Sequence, residues 1–123
     1  MIKSNKSRVI NTSLQTFDRD VSEASHQRPI LVDFWAEWCA PCLVIAPVLE
    51  KVCHDLQDRI GLAKLEVDQG ENMKLAGHYR VRGFPTVMLV NHGEEVARFS
   101  GARSRTQIVE FLQTHLELPE LGR

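Results

Sequence analysis

Ile30-Leu31-Val32-Asp33-Phe34-Trp35-Ala36, followed at once by Glu37-Trp38-Cys39-Ala40-Pro41-Cys42, is the stretch on which the reading of this chain turns. Its first part is an apolar run broken by a single carboxylate. Such a run is too continuous for a strand with one wet face, and it is expected to be a central strand covered on both sides. From Pro41 the pattern becomes helical: Cys42, Ile45, Ala46, Leu49, Val52, Cys53 and Leu56 form an inner stripe reaching to about Asp58. Glu50, Lys51, His54, Asp55 and Asp58 form the outer face. Proline suits a first helical position, because the amide hydrogen it lacks would have had no intrahelical acceptor. Cys39 thus stands just ahead of a helix N-terminus, where free amides and the helix dipole favour a thiolate. An exposed, ionised thiol with a second thiol in reach is a device for exchanging disulfides.

Composition narrows the alternatives. With 123 residues the chain is expected to form a single domain with its own core. A hydrophobic share of 43% and a charged share of 25% give the balance of a soluble globular protein. The net charge of -1 offers no electrostatic case for nucleic acid or an anionic membrane. No apolar run is long enough to span a bilayer. The basic start, residues 1–8, is not followed by the apolar segment of a secretory signal, so a cytoplasmic protein is expected. The three cysteines are too few for a disulfide framework, and a lone CxxC in a reducing compartment points to redox catalysis or metal binding.

Outward from the centre, residues 8–12 read as a short edge strand. Ser13 reads as the N-cap of a helix carrying Phe17 and Val21, and this helix fades before Pro29. Pro47 falls inside the helix after the cysteines and should kink it. A second buried strand is expected over Ile60–Val67, then a shorter helix from Glu71 to about Tyr79. Thr86–Val90 and Glu95–Ser100, joined through Asn91-His92-Gly93-Glu94, read as a β-hairpin. Ser104 and Gln107 form a capping-box start for a last helix, whose buried stripe is Ile108, Phe111, Leu112 and Leu116. The core runs over about 9–116, with loose ends at 1–8 and 117–123. The whole is an α/β sandwich with a mixed sheet.

Taken together, these features closely resemble the thioredoxin family over nearly the whole chain. The residues that carry the likeness are Val32-Asp33-Phe34-Trp35-Ala36-Glu37-Trp38-Cys39-Ala40-Pro41-Cys42, Pro47, Lys64 within Ala63-Lys64-Leu65-Glu66-Val67-Asp68, Val81-Arg82-Gly83-Phe84-Pro85-Thr86, and Gly101-Ala102. The resemblance implies the thioredoxin fold, a central mixed five-stranded sheet flanked by four helices. It implies a cis peptide at Pro85 facing the cysteines, and an extended substrate segment pairing with the backbone of Phe84. Trp38, Ala40, Pro41, Gly83, Gly101 and Ala102 match the rest of the apolar rim. Two positions depart from the family pattern, Ala40 where Gly is commonest and Leu43 where Lys is usual. They bear on redox potential and partner choice.

Each candidate residue has its chemistry. Cys39 is the nucleophile, forming a mixed disulfide with a substrate. Cys42, on the inner stripe, resolves it by attacking Cys39. Asp33 is the candidate base, since strand alternation sets it among apolar neighbours, where a lone carboxylate should have a raised pKa. Lys64 in the next strand is a candidate partner that would moderate that shift. Trp35 reads as core. Cys53 lies about three helical turns from Cys42, out of disulfide reach, and reads as a small core residue. The five histidines show no ligand spacing.

The expected function is a dithiol that reduces protein disulfides. As the resemblance implies, no cofactor is bound, and electrons come from NADPH through a thioredoxin reductase-like enzyme. Disulfide-containing client proteins are the other partners, with no nucleic acid or membrane, and the protein is expected to be a monomer. Rival readings are a chaperone-type binding module, favoured by an exposed Leu43, and an isomerase or oxidant of shifted potential. A zinc site would need two further ligands that no second CxxC or CxxH supplies.

Overall fold

A computed structural model of the chain describes residues 8–118. Five strands form one sheet: β1 (Val9–Asn11), β2 (Ile30–Trp35), β3 (Gly61–Glu66), β4 (Thr86–Asn91) and β5 (Glu94–Ser100). Their spatial order is β1-β3-β2-β4-β5. β3 runs parallel to both β1 and β2, while β4 runs antiparallel to β2 and β5. The sheet is mixed and flanked by helices: a π-helical segment Asp18–Glu23 leading into a 3-10 turn Ala24–His26, then α1 (Ala40–Asp55), α2 (Asn72–His78) and α3 (Arg105–His115). This is the α/β thioredoxin fold expected from the sequence.

The continuity of the β2 run has a direct cause. Val32 and Phe34 pack with Ala63, Leu65 and Met88, and with Phe17, Val21 and Leu75 from the flanking helices, in one core. Leu31 faces the other way, into a core with Ile45, Leu49 and Val52 of α1 and Ile108 and Leu112 of α3. Both faces are therefore dry, and alternation selects which apolar layer a side chain joins rather than whether it meets water. Asp33 shares the Leu31 face, opposite Lys64 on β3 and Val87 on β4.

Several boundaries differ from the sequence reading. Ser13 does not cap a helix. Its amide donates to Thr16 Oγ1 at 3.1 Å, and its hydroxyl lies 3.1 Å from the same oxygen, closing a local turn instead. The helical segment starts only at Asp18, with Phe17 at its N-cap and no side-chain cap. α1 ends at Asp55 and passes into a 3-10 turn, Gln57–Arg59, which opens with Gln57 at φ 58°. Pro47 lies within α1. The hairpin turn places His92 and Gly93 at φ 53° and 83°, the left-handed pair that suits a tight connection between twisted strands. The Ser104–Gln107 capping box is formed in both directions. At the described ends, Arg8 C=O accepts from the Leu62 amide at 2.9 Å, and Leu116 and Leu118 pack on the second core. Of the loose ends expected at 1–8 and 117–123, residues 1–7 and 119–123 lie outside the described residues. No helix among the described residues is long and apolar enough to cross a membrane.

Candidate active site

The site forms where β2 gives way to α1. Cys39 is the N-cap of α1, extended at φ -99° and ψ 102°, with Pro41 in the first turn. Its Sγ accepts a hydrogen bond from the Cys42 amide at 3.3 Å, which satisfies one of the donors the helix start leaves unpaired. The same donor would stabilise negative charge on that sulfur. Cys39 and Cys42 are joined in a disulfide, with Cα atoms 5.3 Å apart. In this oxidised state Cys39 is 5% exposed and Cys42 1%. The open exposure expected of Cys39 is thus absent, because its sulfur is bonded to Cys42 and the residue packs in the first core. Cys53 is free and buried, and burial, with a smaller push from Glu50, raises its thiol to about 12.

Asp33 lies under α1 with no exposed surface, and neither carboxylate oxygen has a hydrogen-bond partner among the described residues. Burial pushes its pKa up to about 7, the Lys64 ammonium draws it down, and the Glu50 carboxylate raises it further. The expected Lys64–Asp33 pair does not form. Lys64 Nζ donates instead to Glu50 Oε2 at 3.2 Å and sits 5.4 Å above the Trp35 ring. The reason is position: Glu50 is half exposed and costs little to keep ionised there, whereas ionising Asp33 carries the full cost of burial. Trp35 packs against the first core as expected, though only partly buried, and its indole N–H has no partner among the described residues.

The rim comes from three chain segments. Phe34 pairs with Thr86, so the start of β4 lies beside the end of β2 and brings Gly83, Phe84 and Pro85 towards the cysteines. The Phe84–Pro85 peptide is cis. The Thr86 hydroxyl donates to Gly83 C=O at 2.6 Å, and the Gly101 amide donates to Pro85 C=O at 2.9 Å, tying the third segment to the rim. Gly101 adopts φ 84°, a conformation that favours glycine. Trp38 is 66% exposed, its indole N–H donating to Asp68 Oδ2 at 2.6 Å and its ring meeting Phe84 edge-on at 5.9 Å. Ala40 and Pro41 are exposed beside the disulfide, and Ala102 is exposed next to Gly101.

Two contributors were not picked out by sequence reasoning. Asp68, read as a loop residue, fixes the Trp38 indole. Glu50, read as part of the solvent face, holds Lys64. Glu50 lies four positions after Ala46 and three before Cys53, both on the inner stripe, and that spacing was the available signal. Among the described residues no group of three or more His, Cys, Asp or Glu could hold a metal ion.

The family model for thioredoxin matches residues 8–114. The chain belongs to the thioredoxin family. It is 42% identical to a thioredoxin of Pseudomonas aeruginosa over 108 residues, covering 88% of this chain and 96% of that protein. It is 41% identical to a thioredoxin of Acidithiobacillus ferridurans over 108 residues, with 88% and 96% covered. Thioredoxin C-2 of Corynebacterium nephridii is 36% identical over 108 residues, again with 88% and 96% covered. A thioredoxin-family domain with Cys39 and Cys42 already closed as a disulfide is a thiol-disulfide oxidoreductase, of the protein-disulfide reductase type.

Proposed function

We propose that Cys39 is the nucleophile, Cys42 the resolving thiol and Asp33 its base in a cycle that reduces disulfides of client proteins. The Cys39 thiolate attacks one client sulfur, forming a Cys39–client disulfide and releasing the other client sulfur as a thiolate, which takes a proton. Cys42 gives its proton to Asp33 and attacks Cys39 Sγ. The Cys39–Cys42 disulfide forms, and the second client sulfur leaves as a thiolate and is protonated. In sum, the protein is oxidised by two electrons and the client gains two electrons and two protons. NADPH, through a thioredoxin reductase-like enzyme, returns the two electrons. No bound cofactor or metal takes part, and the protein works as a cytoplasmic monomer. The clients lie on the Trp38, Ala40, Pro41, Gly83, Phe84, Pro85, Gly101 and Ala102 surface, extended along the Phe84 backbone.

The observation that carries this reading is the Cys39 sulfur at the cap of α1, bonded to Cys42 and accepting the Cys42 amide. Insulin-disulfide reduction tests it: the wild type should reduce insulin with dithiothreitol or NADPH plus a reductase, and Cys39→Ser should lose that activity entirely. The reduction potential against glutathione should lie near the thioredoxin reference of ~-270 mV. A value near ~-120 mV would make the protein an oxidant. Exposed Trp38, Leu43 and Val44, at 66%, 51% and 63%, lend some support to a chaperone-type module. Protection of clients from aggregation that survives Cys39→Ser, without insulin reduction by the wild type, would favour it.

A further inference from the structure

We propose that Glu50 is a positioning residue for proton transfer at the dithiol. It anchors the Lys64 ammonium away from the Asp33 carboxyl and so sets the pH at which Asp33 accepts the Cys42 proton. The inference rests on the reading of Asp33 as that base.

The sheet sets up a pairing that the helix then prevents. Asp33 and Lys64 are register partners on adjacent parallel strands, within reach of a lysine side chain. A bond between them would hold the carboxylate ionised and lower its pKa, making it a weaker base. Instead Lys64 Nζ is taken by Glu50 Oε2 at 3.2 Å and lies over Trp35, leaving both Asp33 oxygens without a hydrogen-bond partner among the described residues. Glu50 belongs to α1, whose first turn carries the cysteines, so one helix presents the thiols and positions the cation.

The groups around Asp33 leave few other candidates. β3 contributes Lys64, and α1 contributes Glu50, the proton donor Cys42 of the proposed step, and Cys53, whose thiol stays neutral below about 12. β4 contributes Val87 and Leu89, and α3 contributes Ile108 and Leu112 to the same layer, none of them ionisable. Glu50 raises and Lys64 lowers the Asp33 pKa. Removing the Glu50 carboxylate therefore withdraws the first influence and frees the second to act at shorter range. Both changes move Asp33 downward. The step concerned moves only a proton, from Cys42 Sγ to an Asp33 oxygen.

Glu50 is 46% exposed, so a substitution leaves the core intact. The experiment compares wild type, Glu50→Gln and Glu50→Asp in single-turnover insulin reduction from pH 5 to 9, with the Asp33 carboxyl followed by 13C NMR. Glu50→Gln should lower the Asp33 midpoint by ~0.5–1 pH unit and carry the resolving-step profile with it. Glu50→Asp, which keeps the charge, should recover at least half of that shift. In an Asp33→Asn background, Glu50→Gln should leave the profile where it was. An unmoved or raised midpoint overturns the proposal, as does a shift that persists without Asp33. If wild type and Asp33→Asn share one profile, Asp33 is not the base, and both readings fall. A wild type with no insulin activity separates failure of the function itself from failure of the Glu50 role, since the carboxyl titration still reads Glu50.

Discussion

Asp33 pulls stability and chemistry in opposite directions. Its folded-state pKa, about 7, stands above the ordinary 3.8 because burial disfavours the charge. Between those values the folded chain holds a proton that the unfolded chain has lost, so stability falls as pH rises through that window and is level above it. Asp33→Asn removes this dependence. In urea unfolding of the oxidised protein it should be more stable than wild type by about 2–4 kcal/mol at pH 8, with the difference gone near pH 4. The same change should slow the resolving step at neutral pH, since Cys42 loses its acceptor. Cys53 makes the opposite case, a thiol buried without a task. With the pair reduced at pH 7, iodoacetamide should label Cys39 first, and Cys53 should react only on unfolding, as mass spectrometry of the labelled peptides will show.

At the scale of elements, the hairpin and α2 give glycine opposite meanings. Gly93 has φ 83°, and a Cβ there would meet His26 Nε2 at 3.2 Å. Gly93→Ala should therefore cost about 1–2 kcal/mol, seen as a lower thermal midpoint. Gly77 lies inside α2, where a Cβ would meet nothing within 4 Å. Gly77→Ala should instead raise stability by up to about 1 kcal/mol in the same assay. α3 depends on its cap: the Ser104 hydroxyl accepts the Gln107 amide at 3.1 Å, and the Gln107 side chain accepts the Ser104 amide at 2.9 Å. Ser104→Ala should cost about 1 kcal/mol by denaturant unfolding.

Across the whole molecule, the two cores on either side of the sheet make β2 the best-protected strand. Hydrogen exchange should be slowest at the amides of β2, β3 and β4, and faster at the short edge strand β1 and at β5, whose first residues are exposed. Much of this plan was legible beforehand, because it rests on local patterns: the apolar run from Ile30, the stripe on α1, the Ser104–Gln107 cap, and the Pro41 start that puts Cys39 at a helix mouth. Ser13 misled because its hydroxyl can close a turn as readily as cap a helix, and only the partner Thr16 settles which. The chain alone determined that two thiols would stand one turn apart at a strand-helix junction, since spacing along a helix is a local property. Which cation meets which carboxylate was decided in three dimensions. Glu50, Lys64 and Asp33 come from a helix and two strands, and it is the unequal burial of the two acids that sends the lysine to the wetter one.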